Sequence, residues 1–482
     1  MKERTNLTML CDFYELTMGN GYFQTGLSSR VCYFDIFFRS VPDRGGFAIA
    51  AGLAQVIEYI KKLRFDEDDL DYLRQKGCFA GDFLAYLRDF KFTGDIWAMP
   101  EGTPIFPGEP IMTVRAPAIQ AQFIETFLLL CLNHQCLIAT KSNRIVRAAE
   151  GRPVAEFGSR RAHGPDGAVL GARASYIAGC SSTACTLADQ RYGSPATGTM
   201  AHSWVQMFPD EYTAFKTYCE LYPTNATLLV DTYNVLHSGV PNAIRVFQEV
   251  LLPKGITKCA IRLDSGDLTY LSQRARQMLD DAGLTECKIV ASNALDEYII
   301  WALVRQGARI DSFGVGERLI TSRSEPVFGG VYKLAAIEDD EGRIIPKIKI
   351  SENAAKITTP HFKKVYRIFS KDTGKAEADL ICLHDEEIDF SQPLELFDPN
   401  ATWKRKIFTD IEAKELLVPI FQNGELVYEI PDLQSSRAYC QRQVDALWDE
   451  VKRFENPHNY YVDLSQKLFD IKQDLLNRHE GV

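Results

Sequence analysis

The sequence lacks the features that would place the protein in a membrane, in the secretory route or on a nucleic acid. It contains no run of about eighteen consecutive apolar residues, the length that a membrane helix needs. Its start, Met1–Thr5, has no apolar signal-peptide core. Positive charge is not in excess, since 54 Lys and Arg residues stand against 64 Asp and Glu residues. We expect a cytoplasmic protein whose partners are small molecules rather than membranes or nucleic acids.

Paired cysteine motifs are also absent. The 12 cysteines include no Cys-x-x-Cys pair, and one Cys/His group, Cys131, His134 and Cys136, has no second ligand pair nearby in sequence. We therefore expect no zinc site, and we expect the cysteines to be reduced and mostly buried. Internal repeats and low-complexity tracts are missing as well. The remaining signals are the apolar pattern and the polar motifs that follow its strands.

The apolar pattern predicts an α/β fold. At 482 residues and 46% apolar, the chain can bury a large core and form two or three domains. From about residue 150 to 335, short apolar strands alternate with helical stretches, which is typical of βαβ units. Polar motifs recur at the strand ends throughout, which favours an irregular parallel α/β barrel over an open sheet. The predicted strands are Val154–Phe157, Thr227–Val230, Lys258–Arg262, Lys288–Ala291 and Ser312–Val315.

The segments on both sides of this barrel are predicted to form a flanking α+β domain. Val31–Phe38 is an apolar, β-rich run, and Lys364–Ile368 with Ala378–Cys382 is predicted to be a hairpin. We expect the C-terminal segment to pack on the N-terminal one. The predicted limits are 1–130 for the N-terminal α+β domain, 131–335 for the barrel and 336–482 for the C-terminal hairpin and helical region.

Two adjacent arginines form the most informative motif. Arg160 and Arg161 follow the buried strand Val154–Phe157 and precede a helix of small residues, Ala168–Ala178. Ligands of parallel α/β proteins gather at the carboxyl ends of strands, and a guanidinium fork matches a carboxylate or a phosphate. The run indicates an anion site, although a surface arginine pair at a helix start would have the same sequence.

Further polar motifs follow the other strands. Asp231 comes directly after Leu229–Val230, either as a site carboxylate or as a helix cap. Arg262–Asp267 surrounds a Ser-Gly turn with one cation and two carboxylates, which is more than capping requires. The Gly-x-Gly of Gly314–Gly316 frees backbone N–H groups to approach a phosphate. The turn Gly198–Ser203 presents a single histidine, His202.

In this order and spacing, the motifs resemble those of nicotinate phosphoribosyltransferases, in the type II phosphoribosyltransferase group. The resemblance runs from residue 7 to about 335, and Lys364–Leu383 is similar to the family's C-terminal hairpin. It implies an enzyme that joins nicotinate to phosphoribosyl pyrophosphate, with ATP hydrolysis, Mg²⁺ and a homodimer with shared active sites. The product would be nicotinate mononucleotide, at the first step of NAD salvage. The matching runs are Asp12–Met18, Phe157–Ala162, Gly198–His202, Arg262–Asp267 and Phe313–Gly316.

The resemblance also implies the residues of the base pocket. Tyr14, from the partner subunit, and Phe157 sandwich the pyridine ring. Arg160 contacts the nicotinate carboxylate and Arg161 is a phosphate or structural partner, or the two roles are reversed. Thr183 belongs to the loop that lines the base pocket.

On the phosphate side, the resemblance implies that His202 becomes a phosphohistidine at the expense of ATP and that Asp231 orients its ring. Arg262, Asp264 and Asp267 handle the ribose, the pyrophosphate and Mg²⁺, and the two aspartates are the metal ligands. The further substrate-binding residues implied are Lys141, Ser265, Gly266, Ser292, Asn293, Gly314 and Gly316.

Three positions bear on the choice of substrate. Nicotinamide-using relatives carry an aspartate in the loop matching Ser182–Ala184, where this sequence has no carboxylate, so nicotinate is expected. Ala184 and Cys185 depart from the Thr-Ser-Asn often found there. Glu317 replaces a threonine beside the phosphate loop, where its charge would repel an anion unless the side chain points away or meets a metal. The alternatives are a nicotinamide-using enzyme, a non-catalytic homologue that binds phosphoribosyl pyrophosphate, and an unrelated sugar-phosphate barrel enzyme.

Overall fold

The structure is a computed structural model that describes residues 6–353 and 356–478. The chain divides into two compact units. The first unit combines the chain up to Leu137 with the chain from Val327 onward, and the second is Ile138–Pro326. The three domains predicted from the sequence stay a prediction.

The helices and strands are named in chain order. The helices are α1 (Phe13–Gln24), α2 (Leu53–Lys62), α3 (Glu67–Lys76), α4 (Gly81–Arg88), α5 (Ala118–Phe123), α6 (Glu125–Ala148), α7 (Pro165–Ile177), α8 (Thr186–Tyr192), α9 (His202–Gln206), α10 (Glu211–Leu221), α11 (Val240–Val246), α12 (Leu268–Asp281), α13 (Glu297–Arg305), α14 (Glu317–Ile320), α15 (Leu433–Asp445) and α16 (Gln466–Arg478). The strands are β1 (Val31–Phe37), β2 (Ala48–Ile49), β3 (Asp95–Ala98), β4 (Pro104–Ile105), β5 (Met112–Pro117), β6 (Val154–Glu156), β7 (Ser182–Thr183), β8 (Thr227–Leu229), β9 (Ala260–Leu263), β10 (Lys288–Ala291), β11 (Ser312–Val315), β12 (Val331–Glu338), β13 (Ile344–Pro346), β14 (Lys363–Ser370), β15 (Ala376–Leu383), β16 (Leu394–Asp398), β17 (Ala401–Phe408), β18 (Ile411–Glu415), β19 (Val418–Gln422), β20 (Glu425–Leu426) and β21 (Val462–Leu464).

The second unit is built on a six-stranded parallel sheet in the order β7-β6-β11-β10-β9-β8. One face of the sheet is fully buried, with Leu228, Ile261 and Ile289 side by side on it, while the alternating residues, such as Arg262 and Val290, are only half-buried. The predicted α/β fold with a parallel barrel-like sheet is confirmed. The sheet curls into a half-barrel rather than a closed ring, because its outer strands β7 and β8 are not paired with each other in the described part of the chain.

Helices begin directly after the strands of this sheet, and aspartates cap several of them. The Asp267 side chain accepts a hydrogen bond from the Tyr270 N–H at the start of α12, and Asp296 accepts one from the Ile299 N–H at the start of α13. Such caps satisfy N–H groups that a helix leaves unpaired in its first turn. The strand-to-helix turns are thereby held at one edge of the sheet.

The first unit joins both ends of the chain in one antiparallel sheet, in the order β13-β12-β1-β5-β3-β19-β20. Strands β12 and β19, from the C-terminal segment, pair with β1 and β3 from the N-terminal segment. The predicted C-terminal hairpin is present as β14 and β15, which pair in antiparallel register. Within it Arg367 forms a fully buried ion pair with Asp379, at 2.6 Å.

One helical stretch, Ala118–Ala148, is long and apolar enough to cross a membrane by length and composition alone. It comprises α5 and α6. Of its most apolar window, 67% is buried inside the protein, as in the core helix of a globular fold. No other helix among the described residues meets the same criteria.

Gly239, the residue before α11, lies very close to the backbone at the end of β8, and a substitution there tests this contact. A Cβ atom at Gly239 would overlap the carbonyl oxygen of Val230, the residue that precedes Asp231. We expect Gly239→Ala to push the end of β8 away and to lower the free energy of unfolding by about 1–3 kcal/mol, as overpacking does. Chemical denaturation measures this. Gly21→Ala is the control, because a Cβ there meets nothing within 4 Å, and equal losses in the two variants would contradict the close approach.

Candidate active site

The carboxyl ends of the parallel strands bring most of the predicted site residues to one edge of the half-barrel. Because neighbouring parallel strands run in register, the residues that follow them stand side by side. Arg262 of β9 is paired with Val290 of β10, and Leu263 with Ala291. The residues at this edge are Phe157 after β6, Thr183 in β7, Asp231 after β8, Asp264 after β9, Ser292 after β10 and Gly316 after β11.

Arg262 is the centre of a hydrogen-bond network at this edge. Its Nε donates to Ser292 Oγ at 2.8 Å, its Nη1 to Thr199 Oγ1 at 2.9 Å, and its Nη2 to Asp264 Oδ1 at 2.9 Å. The Ser292 hydroxyl also donates to Asp264 Oδ1. Arg262 therefore ties together two strand ends and the segment that precedes His202.

His202 is the first residue of α9, and its imidazole is 42% exposed. Its Nδ1 lies 3.1 Å from Thr232 Oγ1. Its Nε2 faces two carboxylates, 4.0 Å from Asp231 Oδ1 and 3.9 Å from Asp264 Oδ2. The structure thus brings His202 together with Asp231 and Asp264.

Asp231 holds the β9–α12 turn and does not cap a helix. Its Oδ2 accepts hydrogen bonds from the Ser265 hydroxyl at 2.6 Å and from the Asp264 N–H at 3.2 Å. Its Oδ1 is buried and has no hydrogen-bond partner within the described residues. The cap after β8 is Asn234 instead, which accepts from the His237 N–H. A buried carboxylate oxygen without a donor is costly, which points to a ligand or a proton donor at this position.

Phe157 lies between a glycine and a guanidinium. A Cβ atom at Gly314 would come within 2.5 Å of the Phe157 ring, so only glycine fits there. The Arg262 guanidinium carbon lies 5.9 Å from the centre of the same ring. Gly314 was expected to present its amide to a phosphate, and the structure gives it the further role of making room for this ring.

Thr183 is buried, and its hydroxyl is used within the protein. It donates to Glu156 Oε2 at 2.6 Å and accepts from the Cys185 N–H at 3.0 Å. Glu156 Oε1 accepts from the Gly158 N–H. Burial raises the pKa of the Glu156 carboxyl, and these two hydrogen bonds oppose the rise. The sequence motifs did not single out Glu156, although a carboxylate as the last residue of a buried strand is an unusual signal.

The two arginines of the most informative motif are available to a ligand. Arg160 and Arg161 lie in a short 3₁₀ turn, Ser159–Arg161, and both are exposed. Neither forms an ion pair with any residue that the structure describes. They are therefore free cationic groups beside Phe157.

The phosphate-side turns have unusual backbone geometry. Gly266 has a φ of +80°, and Asn293, which is not glycine, has a φ of +105°. One oxygen of Asp267 caps α12. The Ser265 hydroxyl donates a hydrogen bond to Asp231, and the Ser292 hydroxyl donates one to Asp264. Gly316 is the N-cap residue of α14, and a Cβ atom there would lie 3.1 Å from the Phe157 carbonyl oxygen.

Two predicted residues are not part of this cluster. Lys141 is buried in α6, where its Nζ donates to Glu297 Oε1 and to Ser324 Oγ, both at 2.8 Å. Tyr14 belongs to the first unit, on α1, and is 43% exposed. Burial and the neighbouring Glu125 raise the pKa of the Tyr14 hydroxyl. Their proposed contacts with substrate stay predictions.

Glu317 does not stand as an uncompensated charge beside the glycine turn. Its Oε1 lies 3.2 Å from Arg323 Nη1, on the exposed surface. An exposed pair of this kind is worth little for stability, but it offsets the charge of the carboxylate. The repulsion expected from the sequence is thereby reduced.

The carboxylates at the sheet edge fit a metal that arrives with its substrate. No group of three or more His, Cys, Asp or Glu side chains that could hold a metal occurs in the described ranges. Asp231 Oδ1 and Asp264 Oδ2 nevertheless accept no hydrogen bond there. Mg²⁺ usually keeps water and substrate phosphate and takes only one or two protein carboxylates. The donor set therefore suits a magnesium–phosphate complex better than a resident metal.

Comparison with known proteins assigns the chain to a family. Its residues 9–133 match the nicotinate phosphoribosyltransferase N-terminal domain, and residues 362–472 match the C-terminal domain. It is 44% identical to the nicotinate phosphoribosyltransferase of Bacillus subtilis over 98% of this chain and 96% of that protein. It is 34% identical to the protein of the same name from Dictyostelium discoideum, over 97% of this chain and 88% of that protein.

A solved structure shows the same architecture. The crystal structure of human nicotinic acid phosphoribosyltransferase superposes with a TM-score of 0.84 and 28% identity, covering 97% of this chain and 100% of that one. The half-barrel with its arginine and carboxylate edge thus belongs to a known class of α/β phosphoribosyltransferase. This chain is a member of the nicotinate phosphoribosyltransferase family.

The Gly314–Phe157 packing is open to a direct test. We expect Gly314→Ala to displace the Phe157 ring, because the added methyl group would occupy the space of two ring carbons. A crystal structure of the variant would show the displacement, with a fall in melting temperature. Gly316→Ala is the control, since the atoms nearest to its Cβ are backbone atoms of Phe157 and Gly158, the closest at 3.1 Å, and not the Phe157 ring. An unmoved ring in Gly314→Ala would contradict the proposed packing.

Proposed function

We propose that this protein joins nicotinate and phosphoribosyl pyrophosphate to give nicotinate mononucleotide and pyrophosphate, coupled to ATP hydrolysis through a phosphohistidine. In this proposal it is a cytoplasmic enzyme at the first step of NAD salvage from nicotinate. The observation that carries the proposal is the cluster of His202, Asp231, Arg262 and Asp264 at one sheet edge, in a chain of this family.

The reaction needs no nucleophile from the protein; it needs side chains that stabilise the charges of the transition state. The pyridine nitrogen attacks the anomeric carbon of the ribose, and the bond from that carbon to the pyrophosphate oxygen breaks. Positive charge develops on the ribose in the transition state, while negative charge leaves with pyrophosphate. Asp264 would face the ribose, and Arg262 holds Asp264 in position through the 2.9 Å hydrogen bond.

The exposed arginines favour an anionic base. Arg160 would pair with the nicotinate carboxylate while Phe157 stacks on the pyridine ring. Arg161 would meet a phosphate, or the two arginines would exchange these roles. The carboxylate of Glu156, which accepts the hydrogen bond from Thr183, is fully buried, and both of its oxygens are taken up by donors inside the protein. Nicotinamide, which is neutral, would gain less from this site.

Mg²⁺ would neutralise the pyrophosphate when the substrate binds. Asp264 would offer Oδ2, and Asp267 the oxygen that does not cap α12. The glycine and asparagine turns at Gly266, Asn293 and Gly316 would offer backbone N–H groups to phosphate oxygens.

ATP would act through His202. A ring nitrogen of His202 attacks the γ-phosphorus of ATP, ADP leaves, and water later cleaves the phosphorus–nitrogen bond to release phosphate. The phosphoryl group adds roughly two negative charges close to Arg262, the cation at the centre of the network. Asp231, whose Oδ1 is buried and unpaired among the described residues, would orient the ring by accepting a hydrogen bond from the N–H of the other ring nitrogen.

A homodimer would complete the site. Helix α1 exposes three large apolar side chains, Phe13, Tyr14 and Met18, at 48%, 43% and 37%. Exposed apolar groups on one helix are typical of a surface that is covered by a partner. Tyr14 would then reach the base pocket of the partner subunit.

The proposal is tested by product analysis of the purified protein. Mg²⁺ and phosphoribosyl pyrophosphate are supplied with nicotinate or with nicotinamide, each with and without ATP. We expect nicotinate mononucleotide, formed faster with ATP and accompanied by ADP. A nicotinamide product would favour the nicotinamide-using alternative. No product from either base, with phosphoribosyl pyrophosphate bound, would favour the non-catalytic one.

The phosphohistidine has a separate test. We expect His202→Ala to abolish the stimulation by ATP and the acid-labile label from γ-labelled ATP, while ATP-independent turnover persists at a low rate. His237→Ala is the control, because that histidine is exposed and its backbone N–H donates to Asn234, which caps a helix and is not a predicted site residue. Stimulation that survives in His202→Ala would rule out His202 as the phosphorylated group.

A further inference from the structure

We propose that Glu156 is a positioning residue that holds the base pocket in shape and links it to the His202 segment. The inference rests on the proposed function, because it concerns the pocket for the pyridine base. The side chain of Glu156 is a carboxylate, and yet it is fully buried. Burying a carboxylate costs free energy unless its oxygens receive hydrogen bonds, whereas an apolar side chain would fill the space at no such cost.

Both Glu156 oxygens receive donors from the base pocket. Oε1 accepts from the Gly158 N–H, one residue beyond Phe157, and Oε2 accepts from the Thr183 hydroxyl at 2.6 Å. The Gly158 turn is built around this carboxylate. A Cβ atom at Gly158 would come within 2.8 Å of Glu156 Oε1 and 2.5 Å of Ile320 Cβ.

The backbone of Glu156 reinforces the same contacts. Glu156 pairs with Val315 of β11 on one side and with Thr183 of β7 on the other. Its carbonyl oxygen accepts from the Ala184 N–H at 2.8 Å, and the next N–H, that of Phe157, donates to the Val315 carbonyl at 2.7 Å. The direction in which the Phe157 ring leaves the sheet is therefore set between Glu156 and Gly158.

Hydrogen bonds of Thr183 connect Glu156 to the segment from Pro195 to His202. Its N–H donates to the Pro195 carbonyl at 2.9 Å, and its own carbonyl accepts from the Thr197 N–H at 2.8 Å. Two residues later, Thr199 accepts from Arg262 Nη1. Glu156, Thr183 and the segment from Pro195 to His202 form a continuous path from Phe157 to the network of Arg262.

The test uses the full-length enzyme with Glu156→Gln, Thr183→Val and the double variant. Glutamine keeps the volume of Glu156 but has one acceptor oxygen, so one of the two donors loses its partner. A lost hydrogen bond of about 1.4 kcal/mol corresponds to a tenfold change. We expect the KM for nicotinate and its calorimetric Kd to rise about tenfold in each single variant. The KM for phosphoribosyl pyrophosphate should change less than twofold, and the double variant should be no weaker than the weaker single one.

Glu211→Gln is the matched control. Glu211 is also buried in the second unit; its Oε2 accepts from both Ser238 and Asn242, while its Oε1 has no hydrogen-bond partner among the described residues. Glutamine can keep both hydrogen bonds through its one oxygen, so Glu211→Gln should leave the KM for nicotinate unchanged. If Glu156→Gln also leaves that KM unchanged, or if the two single effects multiply, Glu156 is a structural residue and the proposal is wrong.

Two further outcomes are separable. If Glu156→Gln does not fold, Thr183→Ser, which keeps the hydroxyl, must bind nicotinate like the wild type, and Thr183→Val must bind it about tenfold more weakly. Equal binding by the two threonine variants overturns the proposal. A wild-type protein that binds nicotinate without turnover contradicts the proposed reaction, while the calorimetric series still decides the role of Glu156. If the wild type does not bind nicotinate, both proposals fail.

Discussion

The hydrogen bonds of Arg262 are the interaction on which the rest of the site depends. One guanidinium reaches Ser292, Thr199 and Asp264, and so joins two neighbouring strand ends to the segment before His202. The planar fork of an arginine satisfies several acceptors at once, which a lysine cannot do. Because the group remains charged, it also sets a positive centre at an edge that is otherwise rich in carboxylates.

The half-barrel makes that arrangement possible. Parallel strands in register place Arg262 opposite Val290 and bring Asp264 and Ser292 to the same level. Helices α12 and α13 start immediately beyond, with their first N–H groups capped by Asp267 and Asp296. The turns between them are short and fixed at both ends. Side chains on such turns are held without the need for a long loop to close over them.

Much of the architecture could be predicted from the sequence, since the signals are local. Thr227–Val230 and Ser312–Val315 are apolar runs, bounded by polar residues, and both form strands of the parallel sheet. Asp231 and Gly316, which follow these two strands, could be identified because they directly follow the apolar runs in the sequence. The residues that bind one another were less predictable. Thr183 and Ser292 were predicted to bind substrate, which stays a prediction, and both of their hydroxyls are engaged by carboxylates of the protein. Glu156 carries no motif of its own, and its importance follows from neighbours that are distant in sequence.

The sequence by itself determined the class of fold, the family and the residues at the strand ends, because periodicity and short motifs depend on neighbours along the chain. Only the tertiary structure decided what each polar group meets. It pairs Glu317 with Arg323 and Lys141 with Glu297, and it leaves Arg160 and Arg161 without an ion pair among the described residues. The physical reason is that hydrogen bonds and charge pairs act over a few ångströms in space, whatever the separation of the partners in sequence.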